Sequence, residues 1–184
     1  MPAKKEIAPG PLEHVRSFVN TFELSGHEEL ASGAALARWL LDHELGGVRL
    51  RASSQDLQRA RELREAMRAI LVAHGEAFPS PPGAWEMLDR TARRARLELR
   101  FAPDGAATLE PQAAGVDGAL GRLVAIVHGA IDQGTWPRLK ACRQHTCQWA
   151  FYDHSKNKSG TWCRMEVCGN RVKARAYRSR QRQA

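Results

Sequence analysis

Before position 142 the sequence has no cysteine, and from 142 onward it has almost no acid. The first absence excludes a disulfide framework, which would spread its cysteines over the fold it staples. Long apolar runs are also missing. Nothing approaches the ~20 residues a bilayer-spanning helix needs, and Lys4 and Lys5 are not followed by the apolar stretch of a secretory signal. The expected location is therefore the cytoplasm, with no membrane partner. There is no glycine-rich phosphate loop, no nucleophile paired with a base and no carboxylate-rich metal cluster, so an enzyme is not expected. Repeats and low-complexity tracts are absent too. At 43% hydrophobic and 26% charged residues, the composition is that of a globular chain rather than a disordered one.

Charge is distributed unevenly. The net charge is +8. Residues 142–184 hold ten lysines and arginines against only Asp153 and Glu166, and so carry all of it. Residues 1–141 hold 18 bases and 18 acids and sum to zero. A neutral body with a strongly basic end points to a polyanion or an acidic surface as partner.

The body reads as helical. Residues 1–11, with three prolines, are expected to be a flexible tail. Leu12, Val15, Phe18 and Val19 then fall on one helical face, and Asn20-Thr21 ends that helix. Ser25-Gly26-His27 reads as a loop. Ser32 is placed to cap a second helix through Leu36, Trp39 and Leu40, stopped by Gly46-Gly47. Ser53 and Asp56 have capping-box spacing before the clearest stripe, Leu57, Ala60, Leu63, Met67, Ile70 and Leu71, which runs to about His74. Prolines at 79, 81 and 82 break the chain, and a shorter helix follows with Trp85 and Leu88. Leu97–Phe101 alternates like a strand, Asp104-Gly105 is a turn, and residues 107–110 can return as its partner in a β-hairpin. Asp117 opens a last body helix through Leu120, Leu123, Val124, Val127 and Ile131, which Gly134 is placed to close. The reading is mainly α (α+β): a flexible tail over 1–11, a helical domain over 12–135 with a small hairpin, and a module over 136–184.

That module carries Cys142-x4-Cys147, fifteen further residues, then Cys163-x4-Cys168. Tetrahedral zinc needs four soft ligands, each ~2.3 Å from the ion. Two close pairs from separated segments supply them as two knuckles. Two short disulfides or four buried thiols are the alternative, which a reducing cytoplasm disfavours. His145 and His154 could serve as ligands, but four thiolates already complete the shell. No position is left open for water, so a single structural Zn2+ is expected. Trp149, Phe151, Tyr152, Trp162 and Val167 are too few to hold the module by burial alone, and zinc contributes roughly 10–16 kcal/mol apparent in finger peptides. The aromatic rings form a small core around the ion or serve as platforms for nucleobases; the core is the simpler reading, because stacking requires exposed rings.

After Cys168-Gly169-Asn170 comes a run of good helix formers. Arg171, Arg175, Arg178 and Arg182 share one helical face, Val172, Ala176 and Ser179 another, and Lys173 and Arg180 lie roughly opposite the arginine stripe. Such a helix suits phosphates and guanine edges. A solvated tail without a partner is the bland alternative. Gly169 would let backbone N–H groups approach a thiolate sulfur, Asn170 would cap the helix or bond across the knuckle, and Arg171 would brace the knuckle or meet a phosphate.

Trp162-Cys163 and Cys168-Gly169-Asn170-Arg171, together with Arg138-Leu139-Lys140-Ala141-Cys142 and Trp149-Ala150-Phe151-Tyr152-Asp153, resemble the CGNR-type zinc finger. The N-terminal part, with Phe18-Val19-Asn20-Thr21 and Trp39-Leu40, is similar to the ABATE-type domain. The resemblance implies a bacterial protein assigned to stress-induced transcriptional regulation, with zinc on the four cysteines and a treble-clef-like or zinc-ribbon-like module ending in a basic helix.

Three functions follow as expectations. The first is a DNA-binding regulator using Arg171, Lys173, Arg175, Arg178, Arg180 and Arg182, whose helical body senses a signal or forms a homodimer. The second is an RNA-binding zinc module. The third is a ligand-sensing or protein-interaction domain with Asn20, Thr21, His27 and Trp39 lining a pocket for a small-molecule effector. Capping and core packing is the simpler role for those four.

Overall fold

The computed structural model describes residues 7–76 and 79–181. Six helices and four short strands follow in the order α1 (Leu12–Val19), α2 (Gly33–Asp42), α3 (Ser54–Glu76), α4 (Pro82–Ala95), β1 (Leu97–Phe101), β2 (Ala107–Pro111), α5 (Gly115–Asp132), β3 (Leu139–Ala141), β4 (Ala150–Tyr152) and α6 (Asn170–Gln181). The strands form two separate antiparallel hairpins, so the class is α+β with helices dominant.

Helix α3 is the axis of the body. Ser53 starts it as a capping box: its backbone N–H donates to Asp56 Oδ2 at 2.7 Å, and the Asp56 N–H donates back to Ser53 Oγ at 3.1 Å. Asp does here what Glu or Gln does more often. Ala60, Leu63, Met67, Ile70 and Leu71 are fully buried, and Leu57 is partly so. They meet α1 through Val15, Phe18 and Val19, and α5 through Val116, Leu120, Leu123 and Val127, in one continuous core. Ser32 caps α2 by accepting from the Ala35 N–H at 3.1 Å. Gly134, at φ +66°, follows the α5 cap residue in the left-handed conformation that favours glycine.

Helix α4 is the shorter helix expected around Trp85 and Leu88, 14 residues against the 23 of α3. Pro82 sits in its first turn, where a missing N–H costs nothing. The helix then continues through an arginine-rich stretch to Arg96, which stops it at φ +50°. Strand β1 begins at the next residue and pairs with β2 in the register Leu97↔Pro111, Leu99↔Leu109 and Phe101↔Ala107.

The start of the described chain makes contacts with later residues. Ala8 is buried and donates its N–H to Glu13 Oε2 at 2.8 Å, while His154 bonds the Ile7 carbonyl at 2.9 Å. Residues 1–6 lie outside the described residues. Among the described residues, no helix is long and apolar enough to cross a membrane.

Candidate metal centre and basic helix

The first knuckle grows out of the β3–β4 hairpin, whose register is Leu139↔Tyr152, Lys140↔Phe151 and Ala141↔Ala150. All six residues are buried, and β3 packs on α3. Three side chains of the helical body hold this hairpin. The Asn20 amide donates to the Ala150 carbonyl at 2.9 Å and accepts from the Ala150 N–H at 2.7 Å, behaving like one residue of an adjoining strand. Arg68, itself buried, donates to the carbonyls of Gln148, Val19 and Phe22. His74 Nδ1 bonds the Leu139 carbonyl at 2.8 Å; burial lowers the His74 pKa and keeps the ring neutral. Beyond the hairpin the chain turns tightly. The Cys142 N–H donates to the Trp149 carbonyl at 2.9 Å and the Cys147 N–H to the Gln144 carbonyl at 2.7 Å.

The second knuckle is reached through a loop built around one carboxylate. Asp153 is 3% exposed and accepts from the N–H groups of Ser155 and Gly160 and from Lys140 Nζ at 2.8 Å. Lys140 is buried as well and also donates to the Lys158 and Gly160 carbonyls. Burial pushes the Asp153 carboxyl up, but the bonds from Lys140, Ser155 and Gly160 together outweigh it and hold the pKa at about 2. A buried ion pair needs such extra hydrogen bonds to offset desolvation. The Arg143 N–H then donates to the Thr161 carbonyl of this loop. A π-helical turn over Met165–Gly169 carries Cys168 and runs without a break into α6.

These turns bring Cys142, Cys147, Cys163 and Cys168 together. All four sulfurs lie within 4.8 Å of one another, with Cys147–Cys163 and Cys163–Cys168 both at 3.7 Å. A disulfide would need ~2.05 Å, and all four cysteines are free. Four ligands ~2.3 Å from one tetrahedral ion stand ~3.8 Å apart along each edge, and two of the six pairs here are at 3.7 Å. The donor chemistry agrees. Left to themselves, sulfurs this close cannot all ionise. Hydrogen bonds from Cys147 and then Cys163 hold the Cys142 thiol far below its ordinary value, and Cys147, Cys163 and Cys168 are pushed up. A divalent cation at the centre removes that conflict. The cluster fits one structural zinc ion with no fifth donor. Among the described residues the metal-competent group contains only these four; His145 is exposed and His154 is occupied with Ile7.

Comparison with known families agrees with this geometry. The profile of the CGNR zinc finger matches residues 138–181. The ABATE profile, described as "Putative stress-induced transcription regulator", matches residues 15–135, more than half of the chain. The chain belongs to the ABATE family. No curated protein matches it.

In this ABATE protein the glycine and asparagine after the last cysteine both serve the turn that leads into α6. A Cβ on Gly169 would lie 2.3 Å from Met165 Sδ and 3.1 Å from Trp162 Cδ1, so the glycine makes room for these two side chains over the turn. Of the two roles open to Asn170, the bond across the knuckle is seen: its amide donates to the Glu166 carbonyl at 3.1 Å and ties the π turn to the helix. Phe151 and Tyr152 are core, Trp149 and Trp162 are half-buried, and Val167 is exposed rather than packed around the ion. Arg171 and Lys173 are exposed on the first turn of α6. Arg182 and the side chains of Arg175, Arg178 and Arg180 lie outside the described residues.

The residues considered for a pocket, Asn20, Thr21, His27 and Trp39, are not gathered into one. Asn20 is spent on Ala150. Thr21 is buried and bonds the Phe18 carbonyl and Arg64. Trp39 packs on Phe18 and stacks on His43, while His27 is exposed on its loop. The sequence reading missed Lys140 and Asp153 as a structural pair. The signal available for it was an aspartate two residues before Ser155 in a polar, glycine-containing loop, where Asp side chains bond nearby backbone N–H groups. It also missed a cleft of about 320 Å³ lined by Glu23, Leu24, Ser25 and both knuckles.

Proposed function

We propose that the protein is a DNA-binding transcriptional regulator in which the zinc module presents α6 to the phosphate backbone. The observation that carries this reading is the continuity of the last ligand with the helix. Cys168 sits in the turn that becomes α6 at Asn170, so the metal fixes the direction in which Arg171 and Lys173 leave the body. The charge distribution supports it: the whole net charge of +8 lies from residue 142 onward. The role is binding rather than catalysis, is exercised in the cytoplasm, and leaves the helical body free to receive a signal or to dimerise.

The test is a salt titration of duplex binding. If about four side chains neutralise phosphates, log K falls against log salt with a slope near −3.6, at roughly −0.9 per contact. The double variant Arg175→Ala/Arg178→Ala should reduce the steepness by about 1.8. Unchanged affinity and slope would remove α6 from the interface. Tighter binding to structured RNA than to duplex DNA under the same salt would reassign the partner.

A further inference from the structure

The four zinc ligands are not equally shielded. Cys142 and Cys168 are 1% and 3% exposed, whereas Cys147 and Cys163 are half-buried. Cys147, Cys163 and Cys168 all line the 320 Å³ cleft, and Cys147–Cys163 and Cys163–Cys168 are both 3.7 Å between sulfurs, but of the three only Cys147 and Cys163 are half-buried rather than buried. Glu23, Leu24 and Ser25 from the loop after α1 also line the cleft, the last two exposed, and so do Arg164 and Arg171. A structural zinc site closed on all sides is chemically quiet. Here a small solute entering one opening meets the two more exposed sulfurs and a guanidinium. Partial exposure beside positive charge is the setting in which cysteine sulfur reacts.

We propose that Cys147 and Cys163 are an oxidant-accessible pair, and that a small hydroperoxide entering the cleft joins them as a disulfide and dismantles the metal site. The co-reactant is hydrogen peroxide or an alkyl hydroperoxide of similar size. One thiolate attacks a peroxide oxygen: an S–O bond forms, the O–O bond breaks, and hydroxide (or alkoxide) leaves and takes a proton. The resulting sulfenic acid is attacked by the second thiolate, so that an S–S bond forms, the S–O bond breaks and a second hydroxide leaves as water. Two sulfurs lose two electrons, the peroxide gains two, and two protons are consumed. The pairing follows exposure: Cys147 and Cys163 are the half-buried ligands and already neighbours, whereas Cys168, equally close to Cys163 and also on the cleft wall, is only 3% exposed and Cys142 1%. The disulfide ties one knuckle to the other and removes two of the four donors, so the turn that starts α6 loses its anchor. This inference rests on the zinc site and not on what α6 binds.

The experiment treats the full zinc-loaded chain with hydrogen peroxide. It follows zinc release with a chromophoric chelator and maps disulfides by peptide mass spectrometry. The expected result is loss of one zinc per chain in step with a Cys147–Cys163 disulfide. Release with Cys142 or Cys168 in the first disulfide overturns the proposal, as does zinc retained at peroxide levels that oxidise an ordinary free thiol. Because ligand variants would fail to fold, the second arm is Ser25→Trp, which fills the mouth of the cleft from a non-ligand position. This variant should keep its zinc and lose it to peroxide about tenfold more slowly, since reaction follows access. Release at the unaltered rate would show that oxidant does not arrive through this cleft and would overturn the assignment.

Discussion

Replacing Asn20 with alanine tests how firmly the zinc module is joined to the helices. Asn20 is 5% exposed, and Ala150, its partner, is fully buried. The substitution removes two hydrogen bonds, at 2.9 and 2.7 Å, and leaves a backbone N–H and a carbonyl of β4 bare in the interior. A hydrogen bond contributes a net ~1 kcal/mol, and a buried group left unpaired costs ~1–3 kcal/mol. The two losses together should lower stability by about 2–4 kcal/mol. For a chain of this size that is a fall in Tm of about 4–16 °C. The assay is urea unfolding of the zinc-loaded protein, read by tryptophan fluorescence and by far-ultraviolet circular dichroism. The two signals should shift to lower urea together, with unchanged slope. Asn20→Asp should be nearly as damaging, because it keeps an acceptor for the Ala150 N–H but sets a carboxylate oxygen against the carbonyl. A loss below ~0.5 kcal/mol, the range of an ordinary surface substitution, would refute the reasoning.

Elemental analysis of purified protein should give one zinc per chain, and chelation should reduce both helical signal and stability; a folded C-terminal half with no metal would sink the metal assignment. Asp153→Asn should cost about 3–5 kcal/mol in denaturant unfolding, because it leaves the buried Lys140 ammonium without its counter-charge; a neutral result would mean the surrounding carbonyls suffice. The Asp153 carboxyl is held below its unfolded value, so its contribution is complete above about pH 4 and is lost as pH falls through about 2. Acid unfolding of the wild type should therefore show a step in that window that Asp153→Asn lacks. Arg68→Met should destabilise by about 3 kcal/mol or more by stranding three carbonyls, measurable by the same urea titration.

Helices were legible wherever a burial stripe was strong. The apolar positions of α3 and α5 repeat every three or four residues, and the structure buries nearly all of them. Ile131, the last of the α5 stripe, is an exception at 48% exposure, because the helix outruns the core there. Helix α4 is shorter than α3, as expected, but its end was not marked: past Leu88 its residues are mainly arginine and alanine, which show no stripe although they favour helix. The cysteine spacing announced the cluster, because four ligands for one ion must come in close pairs. What could not be read was long-range. Asn20 looked like a helix terminator, and its partner is 130 residues away. No sequence pattern marks Arg64 and Arg68 as interior residues. Both are 3% exposed, with Arg64 paired to Glu28 and Arg68 to carbonyls. Hydrophobic periodicity has no term for a cation that is neutralised inside.

Asn20 completes the outer edge of β4 in place of another strand, and this bears on how such proteins can be rearranged. The boundary between the two matched segments falls between residues 135 and 138, yet a chain cut there would expose an unpaired strand edge on one piece and a buried amide on the other. The finger is therefore not a cassette that recombination can move to a new host intact. Any donor must bring, and any recipient must already have, an amide at the end of its first helix.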